Sequence, residues 1–276
     1  MKPLVIFHDN CNDGFTAAWI ARGVLPTDTE FFPANYGSDP PDVTGREVYL
    51  LDFSYKRPVM LDIASRAKLV TVLDHHKTAE KELEKLSFID GHPNEETNVY
   101  CKFDMTKSGA RLTWQHFYGQ SGMTAPWLVD YTEDRDLWLW KLPLSKEVNA
   151  ALSSYPRTFE QWSKWAEFGT VPPVEMKIEG SAILRYQQQT VDSQAANAVE
   201  IEMDGYRVLS VNATVLISEI GEKLAKDRPF SATWFARNDG VKVWSLRSRG
   251  ESGIDVSAIA KAHGGGGHKN AAGFQE

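Results

Sequence analysis

Cysteine is nearly absent: the 276 residues contain two, Cys11 and Cys101. Two thiols cannot build a disulfide framework, so a reducing, cytoplasmic setting is the expectation. Long apolar runs are also missing. No stretch approaches the ~18 uninterrupted apolar residues that cross a bilayer, so no membrane partner is expected. The opening stretch turns polar at His8 and Asp9 and lacks a small-residue cleavage pattern, which argues against a secretory signal. Positive charge is scarce as well, with 30 Lys and Arg against 37 Asp and Glu, a net −7. From Glu200 onward the two signs balance, so residues 1–199 hold the whole excess. A protein that coats long duplex DNA normally presents a basic face, and nothing of that size is visible in this sequence. No internal repeat is visible.

What is present is an ordinary globular mixture, 42% hydrophobic and 24% charged. The length suits two domains. Leu4 to Phe7, Val48 to Leu51 and Lys68 to Leu73 are short apolar runs that read as buried strands, with helices expected over Phe15–Val24 and Pro58–Ala67. Strand–helix alternation at this spacing predicts parallel βαβ units. Further helices are expected over Gly109–Phe117, introduced by Ser108, and over Glu179–Val199. Trp127–Tyr131 leads into a charged stretch, Thr132–Asp136, that reads as a loop. The Trp- and Phe-rich residues 145–168 read as core. After Glu200 the pattern becomes strand (Tyr206–Val211), helix (Val215–Ala225), a hairpin turning at Asn238-Asp239-Gly240, a short helix (Ile254–Ala262) and a glycine run. The predicted architecture is α/β: an N-terminal doubly wound, mainly parallel sheet (1–178), a connecting helix (179–199) and a smaller mixed α/β C-terminal domain (200–276).

Each of the three apolar strands ends in Asp or His: His8 through Asp13, Asp52, and Asp74-His75-His76. In an open parallel sheet those carboxyl ends line one edge, where ligands bind. Imidazole and carboxylate donors at one edge suit divalent ions such as Mn²⁺ or Mg²⁺ better than a thiolate-rich zinc site does. Two such ions ~3.5–4 Å apart can activate water and clamp a phosphoryl group, which needs one central carboxylate between them. Asp52 is the candidate for that position.

The triplet Asp74-His75-His76 after Val70-Thr71-Val72-Leu73 resembles the signature of the DHH phosphoesterase superfamily. His8-Asp9-Asn10-Cys11-Asn12-Asp13-Gly14-Phe15 is similar to the family's first motif, and Leu50-Leu51-Asp52-Phe53 to its second. A fourth falls around Asp134-Arg135-Asp136. Gly265-Gly266-Gly267-His268 with Ala271-Ala272-Gly273 resembles the terminal motif of the DHH-associated C-terminal domain. The resemblance implies a dinuclear, often manganese, centre held by His8, Asp13, Asp52, His75 and Asp134, with Asp130 and Asp136 as alternatives for the last. It implies Asp52, His75 and His76 as catalytic residues, His76 lying near the substrate phosphate. Asp74 would fix an imidazole by hydrogen bonding. Arg247, Gly265, Gly266, Gly267 and His268 would grip the substrate.

One position departs from the pattern. Many members carry a carboxylate two residues before the first-motif Asp, and here Cys11 stands there. Either the site loses an oxygen ligand, for which Asp9 in the same turn could compensate, or it gains a sulfur, or Cys11 is a small buried residue without chemical importance. The expected activity is hydrolysis of short single-stranded oligonucleotides to mononucleotides by a metal-bound hydroxide. Hydrolysis of short-chain polyphosphate is the alternative, and a non-catalytic nucleotide-binding module the alternative of another class.

Overall fold

In the computed structural model, residues 2–84, 86, 98–250 and 253–276 are described. The chain divides into two compact units, Met1–Ile183 and Leu184–Glu276.

The first unit opens with β1 (Leu4–His8), α1 (Asn12–Arg22), β2 (Glu30–Ala34), β3 (Glu47–Leu51), α2 (Arg57–Arg66), β4 (Leu69–Asp74), α3 (Lys77–Leu83) and β5 (Val99–Phe103). The five strands form one sheet in the order β2-β1-β3-β4-β5, and every pairing is parallel. Side chains of a strand alternate between faces, and here both faces are covered. Val5 and Phe7 pack on one side with Leu51, Leu73 and Trp127, while Leu4 and Ile6 pack on the other with Leu50, Met60 and Ile63. That two-sided burial explains why β1, β3 and β4 read as unbroken apolar runs. The sequence reading omitted β2 and β5, the two sheet edges. β2 carries Pro33, which cannot donate to a ladder and is tolerated where only one neighbour, β1, pairs with it.

Five helices follow: α4 (Gly109–Tyr118), α5 (Trp127–Asp136), α6 (Ser145–Ser154), α7 (Phe159–Ala166) and α8 (Val174–Ala195). Trp162 and Trp165 are buried, as their helical spacing led one to expect, and Trp127 is buried as well. The charged stretch Thr132–Asp136 is helical, not a loop, because its acids each find a partner on a different side of α5. Arg111 on α4 pairs with Asp130 and, at 2.9 Å, with Glu133, pinning the two helices together. The division between the units falls inside α8, which starts at Val174, ahead of the expected Glu179, and ends before β6.

The second unit contains β6 (Val199–Met203), β7 (Tyr206–Asn212), α9 (Ile217–Leu224), β8 (Ser231–Ala236), β9 (Lys242–Arg247), α10 (Val256–Ala262), β10 (Gly266–His268) and β11 (Ala271–Gln275). Its sheet runs β10-β11-β9-β8-β7-β6 and is mixed: β7 and β8 are parallel and the other pairs antiparallel. Phe230, Trp244, Leu246, Val256 and Phe274 form its core. The β6–β7 hairpin turns at Asp204-Gly205, both with positive φ (49° and 80°), the pair a tight two-residue hairpin favours.

The candidate metal centre

The order of the first sheet reverses direction between β1 and β3, and the crevice outside the carboxyl ends of those strands is where such sheets bind ligands. His8 ends β1 and Asp52 follows β3. Asp52 adopts a left-handed conformation, φ 55°, unusual for a residue with a side chain and most often seen for Asn and Asp. Its amide still donates to the Leu73 carbonyl at 2.9 Å, which ties the strained residue to β4.

Around Asp52 the donors converge. His75 Nε2 lies 3.1 Å from Asp52 Oδ1, 3.3 Å from Asp136 Oδ2 and 3.8 Å from Asp13 Oδ2. His8 Nδ1 lies 3.6 Å from the other oxygen of Asp52, Oδ2. Asp52 therefore offers one oxygen to each of two donor groups, Asp13–Asp52–His75 and His8–Cys11–Asp52, within each of which the ligand atoms lie inside 4.8 Å of one another.

The electrostatics are those of an anionic pocket. Burial raises the Asp13 carboxyl well above the ordinary carboxylate value, and the charges of Asp52 and Asp136 raise it further. Asp136 is raised by burial and by Asp52, with His75 opposing. Burial opposes ionisation of Asp52 too, but hydrogen bonds to His75 and His8 hold it well below the usual range. Burial disfavours a charged His75, yet Asp136, Asp52 and Asp13 outweigh it and push the imidazole up to about 11. Three carboxylates crowd one buried imidazole, and Asp136 Oδ2 is buried without a hydrogen bond. A divalent cation would relieve both features, so these residues fit one.

Supporting residues fix the donors. Asp13 accepts from the backbone N–H groups of Gly109 (2.6 Å) and Ala110 (3.0 Å), so it serves the N-terminus of α4 as well as the cluster. Gly109 has no room for a side chain: a Cβ there would lie 2.4 Å from Asp52 Cβ. Gly14 is confined likewise, 2.3 Å from the His8 carbonyl oxygen. Asp74, fully buried, accepts from the amides of His75 (2.7 Å) and His76 (3.2 Å), from His76 Nδ1 (2.7 Å) and from Ser54 Oγ (2.5 Å). Burial works against its ionisation, but the His76 imidazole wins and lowers it to about 2. With Nδ1–H given to Asp74, the lone pair of His76 resides on Nε2.

Of the residues expected as ligands, the structure brings His8, Asp13, Asp52 and His75 together and leaves out Asp134. Asp134 is buried facing the turn after α5, where its carboxylate accepts from the amides of Lys141 (2.9 Å) and Leu142 (3.4 Å). Asp136, two residues on, faces His75 instead. Successive helical positions differ by ~100°, and only a helix assignment for this stretch separates the two acids. Sequence reasoning missed Ser54, Gly109 and Ala110; the Ser108 cap signal was visible, but Asp13, which accepts from the Gly109 and Ala110 amides, lies nearly a hundred positions away. Tyr36 was also missed, and its half-exposed ring stands 5.5 Å from that of His8 and 6.0 Å from that of His76.

In the second unit, the glycine run leads into a strand, β10 (Gly266–His268), and packs closely against β11. A Cβ on Gly265 would meet the Gly273 carbonyl at 2.0 Å, and one on Gly267, with φ 138°, the Ala271 carbonyl at 2.5 Å, so backbone-to-backbone packing demands glycine. His268 ends β10 opposite Ala271. Arg247 donates to Ser218 Oγ at 2.8 Å and to the Leu246 carbonyl at 2.9 Å. Burial lowers its guanidinium to about 10. Arg249 lies beyond the end of β9, with Nη2 3.9 Å from Glu222.

Residues 208–275 match the model of the DHHA1 domain, and the Asp74-His75-His76 triplet stands in the donor cluster of the other unit. The family match therefore lies in the second unit, which is similar to the DHHA1 domain. Among curated relatives of this chain is the uncharacterized protein R106 of Acanthamoeba polyphaga mimivirus, 28% identical over 303 aligned positions. The alignment takes in 98% of this chain and 66% of R106, so the chain spans just under two thirds of that relative's length. Among solved structures, the pGpG-specific phosphodiesterase PggH from Vibrio cholerae aligns over 100% of this chain and 93% of its own, at 14% identity and TM-score 0.51. An uncharacterized protein from Helicobacter pylori G27 aligns over the same shares at 14% identity and TM-score 0.45. At that identity the likeness to PggH speaks to the fold.

Proposed function

We propose that the protein is a divalent-metal-dependent phosphodiesterase that hydrolyses short single-stranded oligonucleotides and releases mononucleotides. The observation that carries this reading is Asp52, whose two carboxylate oxygens serve two separate donor groups at the switch point of the sheet. Two manganese ions, or magnesium in their place, would be held by His8, Asp13, Asp52, His75 and Asp136, and would supply Lewis acidity to a phosphoryl group and an attacking water. Asp52 positions that charge, the α4 N-terminus orients Asp13, and Asp74 holds His76 in the tautomer that can present Nε2 to a phosphate oxygen. Arg247 and the Gly265–His268 segment serve as the substrate-binding part of the second unit. The net negative charge argues against engagement of a long duplex, and a short oligonucleotide is favoured by the name of PggH, a pGpG-specific phosphodiesterase.

The test offers manganese-loaded protein a short single-stranded RNA and a short polyphosphate side by side. Mononucleotide release supports the proposal. Phosphate release from polyphosphate alone replaces it with the phosphoanhydride reading, and inertness toward both favours a nucleotide-binding module.

A further inference from the structure

The two cysteines sit in different surroundings. Cys101, on β5, packs against the apolar core of its sheet face. Cys11 lies in the turn between β1 and α1, half-buried, with Sγ within 4.8 Å of ligand atoms of His8 and Asp52. It is the N-cap of α1, in extended conformation (φ −122°, ψ 137°), and Sγ accepts the Asp13 amide at 3.3 Å. As a capping group a neutral thiol is a poor choice, since Ser, Thr, Asp or Asn presents a stronger acceptor to the same amide. Capping therefore does not explain sulfur at this position, and neither does core packing. What the position does give the sulfur is a place beside His8 and Asp52, where it can serve as the third donor to one cation.

We propose that Cys11 is a metal ligand, so that His8, Cys11 and Asp52 form a nitrogen–sulfur–oxygen site for a borderline divalent ion such as Zn²⁺, Fe²⁺ or Co²⁺. The inference rests on the metal-dependent reading above and deepens it. The two halves of the centre then differ in chemistry. Asp13, Asp136 and His75 on one side of Asp52 are mostly hard oxygen donors, suited to Mn²⁺ or Mg²⁺, whereas the Cys11 side discriminates against Mg²⁺. Binding on that side releases the thiol proton to solvent as the metal–sulfur bond forms.

The test uses the full chain stripped of metal and titrated with Co²⁺, with bound cobalt counted on the same samples. The expected result is a near-ultraviolet sulfur-to-cobalt charge-transfer band in the wild type that persists in Cys101→Ser and is lost in Cys11→Ser, which keeps a good N-cap. Cobalt should also slow alkylation of Cys11, mapped by mass spectrometry on the wild-type chain, a measurement that needs no variant to fold. Cobalt uptake without the band, or without protection of Cys11, overturns the Cys11 assignment while leaving the metal-dependent reading intact. No cobalt uptake at all overturns both.

Discussion

Two acids two residues apart on α5, Asp134 and Asp136, carry opposite expectations. Asp136 faces His75 and bears a buried oxygen without a hydrogen bond, so Asp136→Asn should lower metal affinity by about 10–100-fold or more while leaving the fold intact. Asp134 holds the Lys141 and Leu142 amides, so Asp134→Ala should cost about 1–3 kcal/mol of stability with metal content unchanged. Denaturant titration and metal counting on both variants check the pair, and metal loss in Asp134→Ala alone would reverse the roles. Asp74 makes a pH prediction for the metal-free protein. Its carboxyl is lowered from 3.8 to about 2 in the fold, so the unfolded chain binds its proton first as pH falls. Its contribution, about 2 kcal/mol, is therefore complete above pH 4 and lost as pH falls through 2. The stability of Asp74→Asn should fall less steeply over that window, and equal slopes in the two proteins would contradict this. The sequence revealed that strand-end acids and histidines converge, because each strand is apolar up to its last residue. It did not reveal which acid of Asp130, Asp134 and Asp136 points inward, because that depends on whether the stretch is helix or loop.

At the scale of elements, the legible strands are the three central ones, and the omitted pair, β2 and β5, are the edges. Central strands of a parallel sheet are buried on both faces and announce themselves as apolar runs. Edge strands such as Glu30–Ala34, with its Pro33, and Val99–Phe103, half-buried over most of its length, give no such signal. The docking of α4 on the donor cluster was equally hidden, since it depends on contact between residues far apart in the chain. It yields a sharp expectation. In Gly109→Ala the new methyl would lie 2.4 Å from Asp52 Cβ, so either α4 or Asp52 must move. That overpacking should destabilise by about 1–3 kcal/mol and lower metal affinity together. A stable Gly109→Ala protein with wild-type metal binding would mean that the close approach of α4 does not organise the site.

Across the whole molecule, chemistry is unevenly distributed: residues 1–183 hold the donor cluster, while the second unit, which contains the DHHA1 match, offers glycine-enforced backbone packing, Arg247 and His268. Among the described residues no helix is long and apolar enough to cross a membrane. If the second unit serves substrate binding, His268→Ala should raise KM with little change in metal content, whereas loss of metal would give His268 a different role. The account depends most on Asp52 as the carboxylate shared by two ions. The most direct measurement counts manganese per chain and turnover of a short single-stranded RNA on the same samples of wild type and Asp52→Asn. The account predicts two ions and mononucleotide release in the wild type. In the variant it predicts fewer bound ions and a loss in kcat beyond about 100-fold, the upper end of what a change outside the ligand set produces. Full metal content and full turnover in Asp52→Asn would contradict it.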